Sequence, residues 1–134
     1  MESRPQKKQV AELVTTDQVR ILFDPGAISL VTAADIDTRA PTTTVYGLGN
    51  RLAHIREPGP AFPQRIGEGN NFASLTSPND MRFWIRVSIV TSIGSPVPDG
   101  FQGRAFLTGG PIPLNTKESL DEARAALTSA GWLT

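Results

Sequence analysis

From Arg82 onward, apolar and polar positions alternate along the chain. Phe83, Ile85, Val87 and Ile89 fall on one side of an extended strand, and Arg82, Trp84, Arg86 and Ser88 fall on the other. Successive side chains of a strand point to opposite faces, so the run predicts one oily face and one face of Arg, Trp, Arg and Ser. Helical spacing would scatter the four apolar residues around a cylinder. The preceding run follows the same rule, with Ala73 and Leu75 on one side and Phe72, Ser74 and Thr76 on the other. Pro78, Asn79 and Asp80 between the two runs are turn formers. The pattern predicts a hairpin, 72–77 against 82–91, at the centre of an antiparallel sheet.

A second hairpin is expected from VRILF, Asp24-Pro25-Gly26 and AISLVT, because proline presets φ and glycine accepts a positive φ. Residues 1–10 are polar and read as a flexible arm. Thr42–Leu48 and 51–56 read as short strands around Gly49-Asn50. The stretch 57–70, with three prolines and three glycines, reads as a long loop. The stretch 92–100, SIGSPVPDG, reads as a stiff inter-strand loop held by Pro96 and Pro98. Residues 101–107 alternate again, with Phe101, Gly103, Ala105 and Leu107 against Gln102, Arg104 and Phe106, before Gly109-Gly110 bends the strand. The last element is a helix over 116–130. Asn115 is its expected cap, Glu118 closes a capping box, and Gly131 lies just past its end.

These elements define an α+β fold: an N-terminal β-hairpin and antiparallel sheet followed by a C-terminal α-helix. At 134 residues the chain forms a single domain, 1–134, large enough for a real core. One short helix covers a broad sheet poorly. The oily face of Phe83, Ile85, Val87, Ile89, Phe101 and Leu107 therefore calls for a second copy of the chain, and the fold is expected to be completed by dimerisation.

Composition narrows the functional classes. Thirteen basic and thirteen acidic residues cancel, which gives no general affinity for nucleic acid. With no cysteine, disulfides and thiolate metal sites are excluded. No signal peptide is expected at the N-terminus, and no apolar run approaches the roughly 20 residues that span a bilayer. His54 is the only histidine, no nucleophile elbow is present, and Asp35, Asp37, Asp121 and Glu122 are scattered. Gly47, Gly49, Gly67 and Gly69 precede no helix, so they form no phosphate loop. The chain reads as a non-enzyme without a cofactor or metal.

The Arg82-Trp84-Arg86 face is the one pattern with chemical content. Arginine supplies phosphate contacts, and an aromatic ring supplies a platform for an unpaired base. The plainer reading is a solvated sheet face, or a tryptophan buried under a loop.

The run ASLTSPNDMRFWIRVSIVTS resembles the central hairpin of the coat proteins of single-stranded RNA bacteriophages, the levivirus group. The family's strand has the form basic, aromatic, polar, apolar, basic, apolar, and Arg82-Phe83-Trp84-Ile85-Arg86-Val87 resembles it, with Trp84 standing where the usual residue is smaller. SIGSPVPDG occupies the place of the loop that lines that family's symmetry axes, and LNTKESLDEARAAL looks like its ending. The resemblance covers about 71–127. The 33–70 segment is longer than in familiar members, and the chain stops where they continue with a second helix.

The resemblance implies a structural virion protein. Two chains would pair their sheets edge to edge, with each helix across the partner's sheet. Dimers would build an icosahedral shell around single-stranded genomic RNA in the bacterial host cytoplasm, and an RNA hairpin bound to the inner face would repress translation. The RNA-facing positions carried over are Ser74, Thr76, Arg82, Trp84 and Arg86, with Arg104 and Phe106 on the last strand. The alternative is a small single-strand nucleic-acid-binding β-barrel module that does not assemble.

Overall fold

The structure, a computed structural model, describes residues 10–34, 42–49, 51–95 and 103–132. Residues 1–9 of the arm expected over 1–10, Asp35 and Asp37, and Pro96, Pro98 and Phe101 lie outside the described residues. Among the described residues, ten strands pair antiparallel in three sheets and an α-helix follows them, so the α+β class holds.

The layers follow from the alternation. Strands β3 (Leu30–Ala34), β4 (Thr42–Leu48), β5 (Arg51–Ile55), β6 (Phe72–Thr76) and β7 (Arg82–Arg86) make a five-stranded sheet in the order β5-β4-β3-β7-β6. Its centre is β3, where Leu30, Val31 and Ala33 are all buried, because both faces of this sheet are covered. The β6–β7 hairpin forms in the expected register, with Leu75 opposite Phe83 and Ser74 opposite Trp84. It lies at one side of the sheet rather than at its centre, with β6 on the edge.

One face is covered by strands β1 (Ala11–Val14) and β2 (Arg20–Phe23), paired as a hairpin, and by the short helix α1 (Ala61–Arg65). Leu13, Phe23, Val31, Val45, Ile55, Phe62, Phe72 and Trp84 form the core between them. The other face is covered by a three-stranded sheet of β8 (Ser92–Gly94), β9 (Ala105–Thr108) and β10 (Leu114–Thr116), and by helix α2 (Leu120–Ser129). Here Leu30, Leu75, Phe83, Ile85, Val87, Leu107, Leu114, Ala123 and Leu127 pack together. The strand pattern thus sorts Phe83 and Ile85 into one core and Trp84 into the other.

Several expectations are corrected. Asp24-Pro25-Gly26 does not close a hairpin between the strands it separates. The Asp24 carboxylate accepts a bond from the Gly26 N–H at 2.8 Å, and Pro25–Ala27 form a 3-10 turn that carries the chain into the five-stranded sheet. Strand β2 pairs with β1 instead. The expected 82–91 strand ends at Arg86, where Val87–Ile89 form another 3-10 turn that buries Val87 and moves the chain to the second sheet. The 57–70 loop contains α1, whose Phe62 is fully buried. Helix α2 begins one turn later than expected. Asn115 and Thr116 belong to β10, and Ser119 is the cap, with its hydroxyl accepting from the Glu122 N–H and the Glu122 carboxylate accepting from the Ser119 N–H. Gly131 does stand just past the helix, at φ +101°. Its N–H reaches Thr128 O and that of Trp132 reaches Leu127 O, which makes a Schellman motif.

The oily sheet face is therefore lidded within one chain, by β8–β10 and α2 together. A missing lid does not call for a partner.

Candidate nucleic-acid interface

Pairing of β6 with β7 brings five of the expected positions to one sheet face. Thr76 stands opposite Arg82, Ser74 opposite Trp84, and Phe72 opposite Arg86. Arg104 and Phe106 are not among them. They lie on β9 or beside it, and Phe106 points away from the core that holds Ala105 and Leu107, to the outside of the second sheet. Phe106 packs there over Gly94, where a Cβ would come within 2.4 Å of its ring. Arg104 is exposed and reaches Glu122 at 3.4 Å.

The five that share a face are not equally open. Arg82 is exposed, its guanidinium 5.8 Å from the Trp84 ring centre and within 3.3 Å of the Ser74 hydroxyl. Trp84 is only 8% exposed. Gly59 lies against its ring so closely that a Cβ there would fall 2.5 Å from Trp84. Gly59 belongs to the segment entering α1, so the loop-covered reading of the tryptophan is the one realised.

Arg86 is 9% exposed, with Nε and Nη2 both engaged. Its Nε donates to Ile28 O at 2.7 Å, and its Nη2 donates to Pro25 O at 3.0 Å and to the Glu68 carboxylate at 2.9 Å. Its guanidinium stacks 4.8 Å from the Phe72 ring centre. A buried cation needs such partners to offset its lost hydration. Arg86 thus ties the 25–28 turn and Glu68 to the sheet, and an open Arg-Trp-Arg surface is not what this face presents. The sequence reading missed Glu68. Its signal was the apolar company of Arg86, which demands a carboxylate partner but does not say which.

Among the polar candidates set aside, His54 is exposed, with Nδ1 3.0 Å from the Thr44 hydroxyl. Arg65 donates to both oxygens of Glu57 and, at 2.8 Å, to Glu12 O, while lying 5.4 Å from the Phe62 ring centre. It pins α1 to β1. The Glu122 carboxyl is held below its usual range, first by the Ser119 backbone N–H, then by the Ser119 hydroxyl and the Arg104 charge. Among the described residues, no three His, Asp or Glu side chains gather to hold a metal, and no helix is long and apolar enough to cross a membrane.

No family model, no curated protein and no solved structure matches this chain.

Proposed function

We propose that the chain is a self-assembling structural subunit of the RNA-phage coat type, forming a shell that holds single-stranded RNA. The observation that carries the reading is the β6–β7 hairpin. The segment with the sequence resemblance folds as an in-register antiparallel hairpin in a five-stranded sheet, and the chain runs from there through further strands to a C-terminal helix.

The reading takes a modified form here. Helix α2 packs on its own chain's core through Ala123 and Leu127, so a helix laid across a partner's sheet is not needed to complete the fold. RNA contact falls to exposed Arg82, with half-buried Ser74 and Thr76 beside it, while Trp84 and Arg86 serve as its foundation. Arg104, exposed on the second sheet, is a separate phosphate contact.

Negative-stain electron microscopy of the purified chain tests this. Uniform closed particles that carry RNA absorbance are expected. A solution that holds single chains or dimers, with nucleic acid bound but no particles, would replace the shell with the small binding module.

A further inference from the structure

The outer edge of β1 is held at its two ends and open between them. The Thr15 N–H bonds to Val19 O at 2.9 Å, so Thr15 and Val19 are a hydrogen-bonded pair of the β1–β2 hairpin. Bonded and non-bonded pairs alternate along an antiparallel ladder, so the backbone groups of Glu12 and Val14 face away from β2. At one end of that edge the Thr16 N–H bonds to His54 O at 2.8 Å, and at the other Glu12 O accepts from Arg65 at 2.8 Å. Between these ties an open cleft of about 630 Å³ separates β1 from the 56–58 segment, and Val14 lines it.

The charges of this cleft do not cancel. Glu12 and Glu57 line it, but each is already matched, Glu12 by Arg20 and Glu57 by Arg65. Arg56 lines it too, exposed and with no partner among the described residues. One positive charge is left over. Asp17, in the turn after β1, lines a separate groove with Val19 and His54. Thr16 and Gln18 add a hydroxyl and an amide to the cleft wall, and no aromatic side chain lines it.

We propose that this cleft holds one phosphodiester of a single RNA strand, with Arg56 as its charge partner and the Val14 N–H as a second donor. The inference rests on the RNA-holding reading above and extends its contact surface. A phosphodiester carries one negative charge on two free oxygens, which suits one unpaired guanidinium fork with neutral donors beside it. A doubly charged phosphate monoester would leave half its charge unmatched next to two carboxylates. With no ring to stack on, a base gains nothing here, so the cleft grips backbone and reads no sequence. Its position suits a strand that also meets Arg82. Gly59, three residues on from Arg56, packs against the Trp84 ring, and the Arg82 guanidinium lies 5.8 Å from the centre of that ring. Three residues of chain span at most roughly 11 Å. A strand crossing the 57–59 segment therefore runs from one arginine to the other.

Fluorescence-anisotropy titration of the RNA-stripped chain with labelled oligo-U and oligo-A, over a series of salt concentrations, tests the site. Arg56 has no contact to lose, so Arg56→Ala should melt as the wild type does. Its slope of log affinity against log salt should fall by about 0.7, the share of one phosphate on a single strand, and equally for both oligomers. Arg56→Lys, which keeps the charge, should restore the slope. Arg82→Ala separates this inference from the reading beneath it. If Arg82→Ala lowers the slope and Arg56→Ala leaves it unchanged, the cleft site is wrong and the RNA reading stands. If the wild type binds neither oligomer, both are wrong. A loss confined to one of the two oligomers would overturn the backbone assignment.

Discussion

Arg86 and Trp84 show how a pattern names a face without saying whether the face is open. Alternation placed Arg82, Trp84 and Arg86 together, and they are together. What alternation does not carry is the layer above them, formed by residues from 25–28, 59 and 68 that lie far away in the chain. The structure gives these two side chains a structural part. Replacing Arg86 with Ala leaves two backbone carbonyls without their donor and the Glu68 carboxylate with Asn71 alone, and breaking this largely buried pair costs up to about 3–5 kcal/mol. Trp84→Ala opens a large void beside Gly59, with a cost of about 3–5 kcal/mol. Urea unfolding of both variants should show these losses. Arg82→Ala should leave the unfolding midpoint nearly unchanged, since its contacts are exposed, while lowering the RNA retained on purification and flattening its dependence on salt. If Arg82→Ala retained wild-type RNA, the contact surface would lie elsewhere.

At the scale of elements, local chemistry was legible and pairing was not. The strands at 42–48, 51–55, 72–76 and 82–86 and the terminal helix can all be read from period and turn residues. The partner of β2 cannot. A turn signal at Asp24-Pro25-Gly26 suits a 3-10 turn as well as a hairpin, and the choice went to β1, whose Leu13 and Ala11 complete the core. The start of α2 was misread because the 115–118 and 119–122 segments both match a capping box. The second wins because Thr116 is buried in β10, with its hydroxyl bonded to Glu118 O, so the chain cannot turn helical there. The β10–α2 junction also guards an edge: the Lys117 N–H bonds Thr76 O, and the Glu118 carboxylate accepts from the Thr76 N–H, which covers the end of β6.

The cap gives α2 a pH dependence. The folded Glu122 carboxyl titrates below its unfolded value, so its contribution is present above the unfolded value and is lost as the pH falls through the folded one. Ser119→Ala should cost about 1 kcal/mol near neutrality. Unfolding curves taken from neutral to acid pH should also show a shallower acid loss in that variant than in the wild type. Parallel curves would mean that the cap does not set the acid response.

For the whole molecule, one sheet separates two cores and each core has its own lid. The expectation of a missing lid came from counting one helix against one sheet. It overlooked that the chain folds back as a second sheet, because the turn at Val87–Ile89 sits inside what reads as one continuous strand. Self-association is then not needed to bury either core. On the proposed reading, the subunit is a self-sufficient fold that assembles into a shell and holds RNA through exposed arginines such as Arg82. Multi-angle light scattering of the purified wild-type chain, before and after nuclease treatment, tests that account most directly. It predicts particles in the megadalton range that absorb strongly at the nucleic-acid wavelength. A single species with the mass of one chain, unchanged by nuclease, would contradict it.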